Sequence, residues 1–163
     1  MRWWRHSFAD MRLRRAFPRA TLEAITRATA SGEARHRGEV CFAVEPTLPL
    51  ALRLRRITPR ARAEAVFAEQ RVWDTEDNTG VLIYVLLAER AIEIVADRGI
   101  AARIPPERWQ AVCAALAEAY RRSDYLAGSL AAIDAVHAML AEHFPHRPGS
   151  ADSNELPDAP VVL

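Results

Sequence analysis

The sequence has no lysine: its 22 Lys/Arg positions are all arginine. With so much alanine beside them, this reads as the nucleotide bias of a GC-rich, bacterial genome, not as an arginine-rich binding motif. The chain also lacks a charge excess. Its formal net charge is +1, so no overall bias points to nucleic acid or to acidic substrates. Cysteine is scarce. Cys41 and Cys113 have no C-x-x-C spacing and sit in apolar patterns, which makes them buried free thiols suited to a reducing, cytoplasmic setting. No apolar run approaches the roughly 18 residues that a membrane span needs. The N-terminal stretch RWWRHSFADMRLRRAF interrupts its apolar residues with charges, unlike a signal peptide.

Catalytic motifs are missing as well. There is no Walker A lysine, no G-x-G-x-x-G, no G-x-S-x-G and no H-E-x-x-H. His143 and His146 are separated by the helix-breaking Pro145, and no cysteine or carboxylate set completes a zinc site with them. No serine or cysteine stands beside a histidine base, so nucleophilic hydrolysis has no support and no catalytic residue is assigned. His137 lies on an apolar helix face and reads as a core histidine.

What is present is one domain's worth of ordinary globular sequence: 163 residues, 50% hydrophobic and 26% charged. Residues 1–17 read as a basic amphipathic helix or arm. Trp3, Trp4 and Arg5 suit contact with a membrane surface or a partner, against the plainer reading of an arm packed on the domain itself. Residues 18–144 read as the domain proper. Pro18 opens a helix that Gly32 stops. EVCFAVE, Glu39 to Glu45, reads as a strand. Thr58-Pro59 pairs a capping hydroxyl with proline at the first helical position, and Ala63, Val66, Phe67, Gln70 and Trp73 follow at helical spacing. GVLIYVLL is the continuous apolar run of a strand buried on both faces. A short turn joins it to AIEIVA, which alternates only in part, as a peripheral strand does. Pro105-Pro106 starts a helix to about Arg122, and Ser123 or Asp124 caps another that Pro145 ends. Residues 145–163, proline-rich and polar, are expected to be disordered.

A strand–helix–strand unit makes the first two strands parallel, and the hairpin makes the third antiparallel to the second. Helices on both faces complete an α/β fold, a three-layer α/β/α sandwich around a small mixed sheet with a β-hairpin. This order gathers His36, Glu39, Asp74, Asp77, Asn78, Asp97 and Arg98 at one end of the sheet. Several carboxylates with an asparagine offer oxygen ligands to a hard cation such as Ca2+ or Mg2+, and Arg98 suits an anion. Equally, Asp-Thr-Glu-Asp-Asn-Thr-Gly is ordinary turn chemistry.

Several stretches resemble the TPM domain family. They are Phe67-Ala68-Glu69 with Val72-Trp73, the loop Asp77-Asn78-Thr79-Gly80, the hairpin GVLIYVLLAERAIEIVADRGI, Trp109, YRRSDYLAGSL from Tyr120 to Leu130, and HRGEVCFAVE. The resemblance covers about residues 18–144, and the short type without a secretion signal is the one it suggests. It implies a Rossmann-like sandwich and a partner of the LemA membrane-protein type. It also implies either an assembly module or an acid phosphatase, with calcium binding in some members. The family's glycine-rich corner is here Asp97-Arg98-Gly99, and its next acidic position falls near Pro106-Glu107, so only Asp77, Asn78 and Asp97 carry over. Two functions follow as expectations. One is a non-catalytic interaction module, cytoplasmic and peripheral to the membrane. The other is a divalent-metal-assisted phosphomonoesterase.

Overall fold

The computed structural model describes residues 3–146 and 156–163, with side chains from residue 9 onward. Its helices are α1 (Trp3–Ala16), α2 (Arg19–Glu33), α3 (Leu50–Leu54), α4 (Pro59–Glu69), α5 (Arg98–Ala101), α6 (Pro106–Arg121) and α7 (Tyr125–His143). Its strands are β1 (Glu39–Glu45), β2 (Gly80–Leu86), β3 (Ala91–Ala96) and β4 (Val161–Val162).

The four-stranded sheet has the order β3-β2-β1-β4. β1 and β2 are parallel, with Glu39 opposite Gly80 and Glu45 opposite Leu86. β3 returns antiparallel on β2, Val81 opposite Ala96. Every residue of β1 and β2 is buried, whereas β3 is largely half-buried, as befits an edge. The two-residue period of the strands divides the core. Val40, Phe42, Val44, Val81, Ile83 and Val85 meet Ile25, Leu116, Ile133 and Leu140 on one face. Cys41, Ala43, Leu82, Tyr84 and Leu86 meet Ala63, Val66 and Leu156 on the other. Each fully buried aliphatic side chain contributes about 2 kcal/mol through desolvation.

Local chemistry sets several boundaries. Thr58 Oγ1 accepts the Ala61 N–H at 3.2 Å, and Pro59 supplies the fixed φ of the first helical turn. α4 stops at Glu69 because Arg71 turns left-handed, at φ 54, and the Val72 N–H reaches back to the Phe67 carbonyl. Trp73 is therefore not on the helix stripe that its spacing suggests; the chain has already turned, and the indole is 49% exposed.

The C-terminal segment corrects the expectation of a disordered tail. Residues 147–155 lie outside the described residues. Leu156 is buried, and Val161–Val162 pairs parallel with Ala43 and Val44. The Leu163 N–H donates to the Val44 carbonyl at 3.0 Å. A central strand buried on both faces needs a partner on its second edge, and two β-branched residues suffice to provide one.

Candidate functional site

The rim at the start of β1 and β2 is stitched by backbone bonds. The Glu39 N–H donates to the Thr79 carbonyl at 3.1 Å, and the Asp97 N–H to the Gly80 carbonyl at 2.9 Å. Thr75 Oγ1 accepts the Thr79 N–H at 2.9 Å, and Thr79 Oγ1 donates to the Arg37 carbonyl at 3.0 Å. Gly80 has no substitute here: a Cβ would lie 1.8 Å from the Val72 carbonyl oxygen. The loop 72–79 is thereby held down on the sheet edge.

The sequence-derived residues do not form one site. Asp97 is buried; its Oδ1 accepts the Arg98 N–H at 2.6 Å and caps α5. Its Oδ2 is buried without a hydrogen-bond partner among the described residues. Asn78, left-handed at φ 53, stands beside it with the exposed Arg98. Phe67, Trp73 and Ala96 complete a shallow cleft of about 310 Å³. Asp77 engages Arg37 at 2.5 Å, both side chains half-buried. Asp74 is exposed, with Arg71 at 3.9 Å.

His36 lies beneath the rim. It is buried, its Nδ1 accepting the Gly38 N–H at 3.0 Å and its Nε2 lying 2.7 Å from His137 Nδ1. Burial first, then the neighbouring His137, lowers its pKa to about 3. Glu39 turns toward another carboxylate, Glu33. Burial, then Glu39 and Asp158 nearby, raises Glu33 to about 9 against the backbone N–H of Val40, which donates to it at 2.9 Å.

By donor chemistry Asp97 and Asn78 suit a hard cation, and the buried Asp97 Oδ2 has no hydrogen-bond partner among the described residues. The larger set does not fit: among the described residues no three His, Cys, Asp or Glu side chains gather as a metal-holding group. Sequence reasoning missed the exposed indole of Trp73 and the carboxyl group of Glu33. It also missed a network at the other sheet end, where Glu45 Oε2 accepts from Arg62 Nε at 2.9 Å and from the Tyr84 hydroxyl at 2.6 Å. Only Glu45, a charge inside an apolar strand, carried a signal in the sequence.

A mixed sheet between helical layers, its signature loop pinned at the rim, defines a three-layer α/β protein. Residues 13–139 match the TPM domain model, and the chain belongs to that family. The NMR structure of the BA42 protein from the psychrophilic bacterium Bizionia argentinensis has the same fold. Its TM-score is 0.74 at 24% identity, over 88% of this chain and 93% of that one. None of the curated proteins matches significantly. Among the described residues no helix is long and apolar enough to cross a membrane. The side chains of Trp3, Trp4 and Arg5 lie outside the described residues.

Proposed function

We propose that this TPM-domain protein is a non-catalytic interaction module that docks a membrane-associated partner through the rim cleft around Trp73. The observation that carries this reading is the half-exposed Trp73 indole, set beside Arg98 and Asn78 in a cleft on a rigid edge. Tryptophan and arginine are the side chains that most often dominate binding energy at interfaces, and both are exposed here. The family resemblance supplies the partner class, a LemA-type membrane protein, and with it a cytoplasmic, membrane-peripheral location. Affinity enrichment from native membranes is the test. Enrichment of one membrane protein by the wild type and its loss in Trp73→Ala and Arg98→Ala are expected. Equal enrichment by folded wild type and both variants would overturn the reading.

A second reading, a divalent-metal-assisted phosphomonoesterase, is favoured by one atom, the orphaned Asp97 Oδ2 beside Arg98. Asp97 and Asn78 would hold the cation, whose charge would neutralise a phosphate ester, while Arg98 binds its oxygens. Addition of calcium, magnesium or manganese should then raise the melting temperature of the wild type and not of Asp97→Asn. An aryl phosphate should be hydrolysed. No thermal shift with any of the three ions would sink it.

A further inference from the structure

At the opposite end of the sheet from Asp97, the end of β2 and the turn after it meet α1 and the α6–α7 corner around a cavity of about 210 Å³. Three arginines from separate elements line it: Arg12 on α1, Arg90 in the β2–β3 turn and Arg121 at the end of α6. No carboxylate, histidine or cysteine is among its lining residues. Glu118 engages Arg121 together with Arg122, and Glu89 precedes Arg90 in the turn. Neither Arg12 nor Arg90 has an ion-pair partner among the described residues. All three arginines are exposed at the cavity's mouth, and a concave surface bordered by one sign of charge favours an anion.

The backbone points to the same place. Arg90 and Ser123 both line the cavity, and both adopt left-handed conformations, φ 53 and φ 62. Turn and helix-end positions of that kind favour glycine, which has no Cβ to strain. An arginine and a serine stand there instead, both on the cavity's lining. Its remaining wall is aromatic and apolar. The rings of Tyr120 and Tyr125 pack 4.9 Å apart at 50°, beside Ile92.

We propose that this cavity binds a phosphomonoester group carried on a small apolar or aromatic body, and holds it without cleaving it. A phosphoryl group presents three acceptor oxygens and close to two negative charges, which suits several guanidiniums better than a single carboxylate does. The volume lies below the roughly 300 Å³ at which pockets for drug-sized ligands begin, so the body is small. The cavity lies beyond the carboxyl end of the parallel strand β2, where open α/β sheets usually place their ligands. None of its residues lines the Trp73 cleft, so this inference stands apart from the docking reading.

Phenylphosphonate, which has no ester bond to lose, is the first ligand to use. The full chain is titrated in chelator-containing buffer by calorimetry and by amide NMR. Saturable binding is expected, with shifts at the amides of Arg90, Ser123 and Tyr125. Arg12→Gln on the exposed helix surface should weaken it about tenfold, the loss of one charge-assisted hydrogen-bonding group. Arg90→Gly should weaken it as much while leaving the melting temperature at or above that of the wild type, because glycine relieves the positive φ. Trp73→Ala should bind as the wild type does. Phosphatidylcholine vesicles with and without phosphatidic acid form the second arm. Sedimentation with phosphatidic acid, lost in both arginine variants, assigns the group to a lipid headgroup; phosphonate binding without it assigns a soluble ester. Absence of saturable phosphonate binding, or binding undiminished in Arg12→Gln and Arg90→Gly, overturns the proposal.

Discussion

His36 Nε2 and His137 Nδ1 lie 2.7 Å apart, with the two rings stacked at a centroid distance of 5.0 Å. The Gly38 N–H occupies His36 Nδ1, so His36 carries its proton on Nε2 and donates it to His137. His137 must then hold its own proton on Nε2, an atom that is buried without a partner among the described residues. Both imidazoles are neutral in the fold, and through them the segment between α2 and β1 is joined to α7.

Gly32 packs against that second ring. A Cβ at residue 32 would lie 2.0 Å from His137 Cδ2, so Gly32→Ala must push the imidazole off His36. The expected cost is about 3 kcal/mol, the upper end for overpacking a core, read as a lower urea midpoint at unchanged slope.

The pH profile should be a dome. His36 and His137 have folded pKa values of about 3 and about 4 against 6.5, so stability is lost as pH falls from 6.5 through those values. Burial is the first cause for both. Glu33 works the other way. Its folded pKa of about 9 lies above 4.5, so its contribution is full below pH 4.5 and is lost as pH rises toward 9. Between 4.5 and 6.5 two histidines outweigh one glutamate, which places the maximum near pH 6.5. Melting temperatures across pH should show this, and Glu33→Gln should flatten the alkaline limb and steepen the rise between pH 4.5 and 6.5.

The Glu45–Arg62–Tyr84 network predicts an asymmetry. The side chains of Glu45 and Arg62 are only 4% and 10% exposed, so Arg62→Ala strands a buried carboxylate. The loss should be about 3–5 kcal/mol in urea denaturation. Adding Glu45→Gln to the same chain should restore part of it. Tyr84→Phe, which removes one hydrogen bond to that carboxylate, should cost about 2 kcal/mol.

Truncation after residue 155 should cost about 2 kcal/mol from Leu156 alone, since that side chain is buried. It also removes β4 and bares the outer edge of β1. A monomer–dimer shift on size exclusion is expected with it, because an open edge strand recruits another.

The sheet was legible where information is local. Continuous apolar residues in GVLIYVLL announced a strand buried on both faces, and Thr58-Pro59 announced a helix start. The strand–helix–strand–hairpin order then dictated which polar residues share a rim. The site was less legible. Asp97, Asn78 and Arg98 do meet, but Asp77 is taken by Arg37, 40 residues away, and His36 by His137, 101 residues away. Nothing at either position signals its partner.

By itself, then, the sequence determined the α/β class, the parallel pair, the hairpin and the family, because periodicity, caps and turn residues act within a few positions of one another. The tertiary structure alone decided that Val161–Val162 closes the sheet, that Trp73 faces solvent and not the core, and that Arg12, Arg90 and Arg121 surround one cavity. Those outcomes depend on packing between segments far apart in the chain, where burial and pairing are properties of the assembled surface and not of any local pattern.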